Sequence, residues 1–344
     1  MKNTPHCPFC CHIVPDVVFK QMKKEGIDVT ADKSVKQAED FREKRTEFSL
    51  MARSLVSRAI GDAERYVYNS KNSNKMKLTL VRKETEAAAA DNDANLAYEN
   101  GGIVREYFKT QLDWDSIDGS GLDLIFNVHY LVRYNNAFWD GQMMTFGDGD
   151  GVNFTSFAQS LDVTGHELAH GVIQYTAGLV YKGQSGALNE HFADVFGIAV
   201  KQWHLKQTAK EADWLIGADC MGTKFKGKGI RSFKAPNDEK FVMMAQPDSM
   251  TTIYKGTSDN GGVHINSGIP NKVFYLVSLE IGTNVAAKWW FEALKILKPT
   301  AKFVDLYKAL KVVSKEMIPV DKLPANALDA LGKSFIKVGI IKKI

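Results

Sequence analysis

Cysteine is nearly absent from the body of this 344-residue chain: three of its four cysteines are Cys7, Cys10 and Cys11, and the remainder holds only Cys220. An internal disulfide in the body is therefore excluded. Long apolar runs are missing too. Stretches such as Val338–Ile341 fall far short of the ~20 residues a membrane helix needs, and the first residues contain no apolar run of the length found in secretory signals. Charge of one sign is scarce as well. Lys and Arg number 44 against 40 Asp and Glu, a formal +4 without a basic cluster, so neither nucleic acid nor a membrane surface is an expected partner. A monomer is the simplest expected state. The missing signal leads to the expectation of synthesis in the cytoplasm, with secretion by a non-standard route left open.

What is present is the balance of a globular protein, 44% hydrophobic and 24% charged. Residues 1–58 differ from the rest. They hold a Cys/Pro-rich start and a polar, charged stretch with helical pattern over Ala31–Ile60, with 11 basic against 8 acidic residues in the first 60. Such a segment reads as detachable. Between 59 and 178, short Val/Tyr/Leu/Phe runs (Arg65–Tyr68, Leu78–Arg82, Leu122–Val132) broken by Asn, Gly and Asp predict strands and turns. One helical pattern, Asp91–Lys109, interrupts them, with a break expected at its central Gly-Gly. Helical periodicity then predicts Leu161–Ala177, and over 179–344 it predicts Ala187–Lys206, Asn266–Gly282, Ala286–Leu297, Lys302–Ser314 and Asn326–Val338. The expected class is α+β: a β-rich N-terminal lobe, an α-helical C-terminal lobe, and a cleft between them.

The chemistry concentrates in His166-Glu167-Leu168-Ala169-His170, inside the helix predicted over Leu161–Ala177. Residues four apart share a helix face, so both imidazoles reach one metal ion. Glu190 lies twenty residues beyond His170 near the start of the next helix, with Gly178, Gly183 and Gly186 supplying the turn. Two histidines and one carboxylate leave a tetrahedral zinc its fourth position for water, which is the catalytic arrangement. Asp194, one turn after Glu190, can hydrogen-bond the outer nitrogen of a ligand histidine. Glu167 points beside the metal and suits the role of general base for water attacking a carbonyl.

Block after block from Asn135 to Gly282 resembles the thermolysin-like neutral zinc metalloproteases. The blocks are Asn135-Asn136-Ala137-Phe138-Trp139, Gly147–Gly151, His166–His170, Tyr175–Leu179, Ser185–Glu190, Arg231-Ser232 and Asp259–Gly268. The N-terminal His12-Ile13-Val14-Pro15 resembles the short propeptide of the protealysin-like branch, although Asp16 stands where that branch has a second proline. The resemblance implies a two-lobed fold and a zinc endopeptidase that cuts peptides and proteins before bulky hydrophobic residues. It also implies manufacture as a zymogen with its own propeptide as a partner. His264 and Tyr181 would donate to the oxyanion, and Asp259 would orient His264. Arg231 would bind the carbonyl past the scissile bond, while Asn136 and Ala137 align the substrate strand. Phe154, Phe157, Val163, Ile216 and Ile230 would form the pocket for the residue after the cut, with Cys220 at a further pocket position or as buried filler. Self-cleavage is expected before Leu50, Leu55 or Ile60. The double calcium site of thermolysin would map onto Asp162, Lys201, Asp213, Leu215 and Ala218. One lysine and two apolar residues there imply that the calcium site is lost and that Lys201 neutralises Asp162 and Asp213.

Other assignments compete. A zinc aminopeptidase shares His-Glu-x-x-His, but its Gly-x-Met-Glu-Asn anchor for a free amine is absent. A zinc-stabilised scaffold without activity would not need every catalytic position filled. Cys7, Cys10, Cys11 and His12 could hold a second metal, with free or oxidised thiols the simpler reading. Gly147–Gly151 reads as a structural turn, His129 as a packed strand residue, His191 as pointing away from the metal, and His204 as solvated.

Overall fold

The computed structural model describes residues 11–24, 63–225, 227–320 and 322–343. The expected helical stretch over Ala31–Ile60, the cut positions at Leu50, Leu55 and Ile60, and the thiols of Cys7 and Cys10 lie outside the described residues. The N-terminal lobe is built on one six-stranded mixed sheet. Its strands are β1 (Cys11–His12), β2 (Arg65–Asn69), β3 (Thr79–Lys83), β4 (Leu124–Val128), β5 (Ala137–Trp139) and β6 (Met144–Phe146), in the spatial order β1-β5-β6-β4-β2-β3. The central pairs β2–β4 and β4–β6 are parallel and the outer pairs antiparallel. Alternation places Leu124, Phe126 and Val128 of β4 in the core.

Helix α1 (Asp16–Lys24) follows β1 directly, burying Val18, Phe19 and Met22. Helix α2 (Asn92–Leu112) covers the sheet with Ala94, Ala97, Tyr98, Gly101, Val104, Phe108 and Leu112, the three-to-four spacing of a core-facing stripe. It runs unbroken through Gly101-Gly102, where the sequence predicted a break. The glycines are there for closeness: a Cβ on Gly101 would come within 2.2 Å of the Phe126 ring, so the lost helix propensity of ~1 kcal/mol is offset by the packing of the sheet against the helix axis. Two helices then carry the ligand-type residues, α3 (Leu161–Tyr175) and α4 (Gly183–His204). The C-terminal lobe continues with a two-stranded ribbon, β7 (Leu215–Ile216) and β8 (Arg231–Ser232). After it come α5 (Ser258–Asn266), α6 (Gly268–Ile281), α7 (Thr283–Ile296), α8 (Phe303–Met317) and α9 (Ala327–Lys337). Trp214, Trp289 and Trp290 lie fully buried among them. Among the described residues no helix is long and apolar enough to cross a membrane.

His129 differs from its expected place. It lies just past β4 at φ +54° and is no packed strand residue. Its Nδ1 is 2.9 Å from Asp148 and its Nε2 3.1 Å from Asp91, the N-cap of α2. The imidazolium thus ties the start of the long helix to the Gly147–Gly151 turn. The hydrogen bond that His129 donates to Asp148 and the charges of both carboxylates outweigh partial burial and push the His129 pKa up to about 9. A group whose pKa rises on folding stabilises the fold in its protonated form. The contribution is therefore full below ~6.5 and disappears as the pH climbs through the folded value. After allowance for solvent screening, wild type should exceed His129→Gln by about 1–2 kcal/mol in urea unfolding near pH 6. The gap should close above about 9; a gap that stays constant with pH would rule out the charged clamp.

Candidate metal centre

Helices α3 and α4 cross with almost no side chain between them. A Cβ on Gly165 would approach Gly197 Cα to 3.0 Å, and one on Gly197 would meet the Asp162 carbonyl oxygen at 2.5 Å. That contact brings Glu190 against the histidine face of α3. His166 Nε2 and His170 Nε2 lie 3.0 Å apart, and the Glu190 carboxylate is 3.5 Å from each. All three residues are buried, and their ligand atoms lie within 4.8 Å of one another.

The outer nitrogens both lie against oxygens. His166 Nδ1 is 2.8 Å from Asp194 Oδ1, and His170 Nδ1 is 2.8 Å from Asn189 Oδ1. The hydrogen bond of His170 Nδ1 to Asn189 leaves its Nε2 presenting a lone pair inward, while His166 Nδ1 meets the Asp194 carboxylate at contact distance without the alignment of a hydrogen bond. Burial and the neighbouring His166 hold the His170 pKa well below its ordinary value, which keeps that ring neutral as a ligand must be. Glu190 Oε2 is buried and receives no hydrogen bond. Two converging imidazole Nε2 atoms and such a carboxylate oxygen fit a zinc ion. Asn189 escaped the sequence reading; its only signal was its place just before Glu190.

Around this group the other anticipated residues converge. Glu167 is buried, and its Oε2 accepts a hydrogen bond from Trp139 N at 2.8 Å. The Tyr181 hydroxyl bonds Glu190 and lies 3.0 Å from His264 Nε2. His264 is delivered by an unusual turn. Asp259, Asn260, Gly261 and Gly262 all have φ between 50° and 84°, the left-handed region that Asp, Asn and Gly tolerate best. The turn folds Asp259 back to accept from His264 Nδ1 at 2.6 Å and from the backbone N of His264 and Ile265 at 2.8 and 3.1 Å. Burial opposes a charge on His264, but Glu190 and Asp259 outweigh it and raise its pKa to about 9. Arg231 is fully buried, with Nη2 2.7 Å and Nε 3.1 Å from the two oxygens of Asp194. Although burial opposes its charge, Arg231 and His166 hold the Asp194 carboxyl far below the usual carboxylate range.

The cleft edge is occupied by the chain itself. Strand β1 pairs antiparallel with β5, and the backbone beyond it continues the contact: Ile13 N donates to Ala137 O (3.3 Å) and Val14 N to Asn136 Oδ1 (3.0 Å). Asn136 Nδ2 donates to Val14 O (2.8 Å), and Arg231 Nη1 to Ile13 O (2.7 Å). Ile13 is fully buried, as are Phe154, Phe157, Val163, Ile216 and Ile230, and all six belong to the main hydrophobic core. What remains of the cleft is a cavity of about 230 Å³ lined by His12, Asp16, Tyr181, Asp259 and His264. A larger cavity of about 750 Å³, between the end of α4 and the start of α7, contains no carboxylate; the cleft is the smaller of the two because the N-terminal segment fills it.

Three further residues complete the account. Cys220 is buried, its Sγ 3.3 Å from the Gly217 carbonyl, and burial pushes the thiol pKa well up; it packs as an inert filler. Lys201 does not reach solvent. Its Nζ lies 3.0 Å from Asp162, 3.4 Å from Asp213 and 3.3 Å from the Leu215 carbonyl. A second convergence of ligand-type atoms, Asp93, His129 and Asp148, is partly exposed, and both nitrogens of its histidine are already paired with carboxylates.

Comparison with known proteins agrees with this geometry. Residues 30–174 match the thermolysin metallopeptidase catalytic domain, and residues 177–340 its alpha-helical domain. An extracellular metalloprotease of Pectobacterium carotovorum subsp. carotovorum is 42% identical over 252 residues, 71% of this chain and 73% of that protein. Protease PrtS of Photorhabdus sp. (strain Az29) is 44% identical over 285 residues, covering 80% and 76%. The solved precursor of protealysin, a metalloproteinase from Serratia proteamaculans, superposes with a TM-score of 0.83 at 34% identity, over 96% of this chain and 100% of that one.

Proposed function

The chain belongs to the thermolysin metallopeptidase family, and on that premise we propose that it cuts peptides ahead of bulky apolar residues and is held inactive by its own N-terminal segment. The observation that carries the reading is the His166–His170–Glu190 group with Glu167 on one side and the His264–Tyr181 pair on the other. Zinc, when held by the first three, supplies a Lewis acid for the carbonyl and lowers the pKa of water toward ~7. Glu167, steadied by the Trp139 N–H, takes the proton of the attacking water and later delivers it to the leaving amine. His264, oriented by Asp259, and the Tyr181 hydroxyl stabilise the developing oxyanion. Arg231 grips the next carbonyl, and Asn136 with Ala137 aligns the substrate as an added strand. Purified protein should hold about one zinc per chain. Glu167→Ala should keep the metal and lose at least ~100-fold in hydrolysis of an N-terminally blocked quenched peptide. Retained zinc with little change in rate would remove Glu167 from the mechanism, and no hydrolysis of blocked peptides by wild type would favour an aminopeptidase.

The zymogen reading is supported by the four hydrogen bonds of Ile13 and Val14, since they use the groups that a substrate strand would need. Ile13 takes the position of the apolar residue after the cut. The full-length enzyme should then show a lag on a quenched peptide that ends as a new N-terminus appears before Leu50, Leu55 or Ile60. Ile13→Asp, which would bury a carboxylate among apolar side chains, should shorten the lag. An equal lag in both would separate the segment from inhibition.

We also propose that Lys201 replaces calcium. An ammonium between Asp162 and Asp213 satisfies the charge that a divalent ion would otherwise balance, and calcium needs six to eight oxygens. Melting temperature should change little between millimolar calcium and a calcium-selective chelator, whereas Lys201→Glu should melt lower and regain stability with calcium. A loss of many degrees in wild type on removing calcium contradicts the replacement.

A further inference from the structure

Behind Asp194 runs a line of buried polar groups that the mechanism above does not use. His191, expected from the sequence only to point away from the metal, does so and meets Trp290 of α7: Trp290 Nε1 donates to His191 Nε2 at 2.8 Å. Indole N–H is only a donor, so that histidine nitrogen is the acceptor and carries no proton. The proton of the neutral ring therefore sits on Nδ1, 2.7 Å from Asn271 Oδ1 on α6. With its oxygen facing His191, Asn271 presents Nδ2–H to Asp194 Oδ2 at 2.9 Å. Asp194 Oδ2 also accepts from Arg231 Nε, and Oδ1 accepts from Arg231 Nη2 and faces His166 Nδ1. Trp290, His191, Asn271, Asp194, Arg231 and His166 are all fully buried.

We propose that His191 and Asn271 are positioning residues of the metal centre: a one-way hydrogen-bond line from Trp290 locks the Asp194 carboxylate, and through it the orientation of His166 and Arg231. The inference rests on the reading of His166, His170 and Glu190 as the zinc site. Each link has one possible polarity, because one end is a pure donor and the other a pure acceptor. Removing the Asn271 donor leaves Oδ2 with the Arg231 contact alone, so the carboxylate can pivot about the guanidinium. The cost then falls on the His166 ring. Because the line comes from α6 and α7 while Asp194 and Glu190 belong to α4, it also couples the packing of three helices to the metal.

The test is zinc affinity, measured on the full chain by competition with a chromophoric chelator, together with the visible spectrum of the cobalt-substituted protein. Asn271→Leu should bind zinc about 10- to 100-fold more weakly, the range for loss of a partner behind a ligand, and His191→Leu about 10-fold more weakly. The cobalt bands should shift in both. His191→Gln should stay within about 3-fold of wild type with a wild-type spectrum, because a carboxamide can accept from Trp290 and donate to Asn271 as the neutral imidazole does. Should His191→Leu not fold, Trp290→Phe removes the first donor while keeping an aromatic side chain, and it should move the cobalt spectrum in the same direction. Wild-type affinity and spectrum in His191→Leu (or in Trp290→Phe), whatever happens to its melting temperature, would reduce the line to packing. So would a His191→Gln protein as impaired as His191→Leu. A wild type that binds no zinc would instead sink the reading of the metal centre itself.

Discussion

Everything at the centre of this molecule leans on one buried carboxylate. Asp194 is fully removed from water, a position an isolated charge could not hold. It stays ionised because Arg231 forks onto both of its oxygens, Asn271 donates to Oδ2, and His166 Nδ1 lies against Oδ1 at 2.8 Å. Removing one partner of such a pair typically costs ~3–5 kcal/mol, since the other charge is left buried alone. The same carboxylate lies against a ligand-type histidine and aims the guanidinium whose remaining nitrogen reaches the Ile13 carbonyl. Metal binding and recognition of the peptide backbone are therefore consequences of a single electrostatic balance.

That balance is reached because two helices touch. The glycines at 165 and 197 let α3 and α4 approach backbone to backbone, which places Glu190 and Asp194 within reach of His166. A second buried ion pair, Lys201 with Asp162, clasps the same two helices at the far side of the glycine contact. The cleft edge follows a different logic. Strand β5 is the end of the sheet once β1 is set aside, and an edge strand offers unpaired backbone groups to any extended chain. In this structure the extended chain that takes that edge is the N-terminal segment, which pairs with the Ala137 carbonyl and the Asn136 carboxamide.

Much of the fold and most of the candidate site could be read in the sequence, for identifiable reasons. His166 with His170, and Glu190 with Asp194, are each spaced by helix geometry, a short-range rule that survives without tertiary knowledge; that the two pairs meet was implied by the family resemblance. The strands around Val67, Leu80 and Phe126 were visible as apolar runs, with boundaries off by one to a few residues. The misses have long-range causes. Gly101-Gly102 looked like a helix break because local propensity cannot register the Phe126 ring that occupies the space a side chain would need. His129 sat in an apolar run, yet its partners Asp91 and Asp148 come from 38 and 19 residues away. His191 points away from the metal, as the sequence indicated, but its contact with Asn271 could not be read locally because that partner lies 80 residues on.

Anomalous diffraction from crystals of the full chain at the zinc edge puts the central claim to the most direct test. The account predicts one strong peak about 2.0–2.2 Å from His166 Nε2, His170 Nε2 and the Glu190 carboxylate, with Ile13 and Val14 paired along Asn136 and Ala137 beside it. A peak at His129 with Asp93 and Asp148, or a peak at His166 that leaves Glu190 out of coordination range, would contradict it.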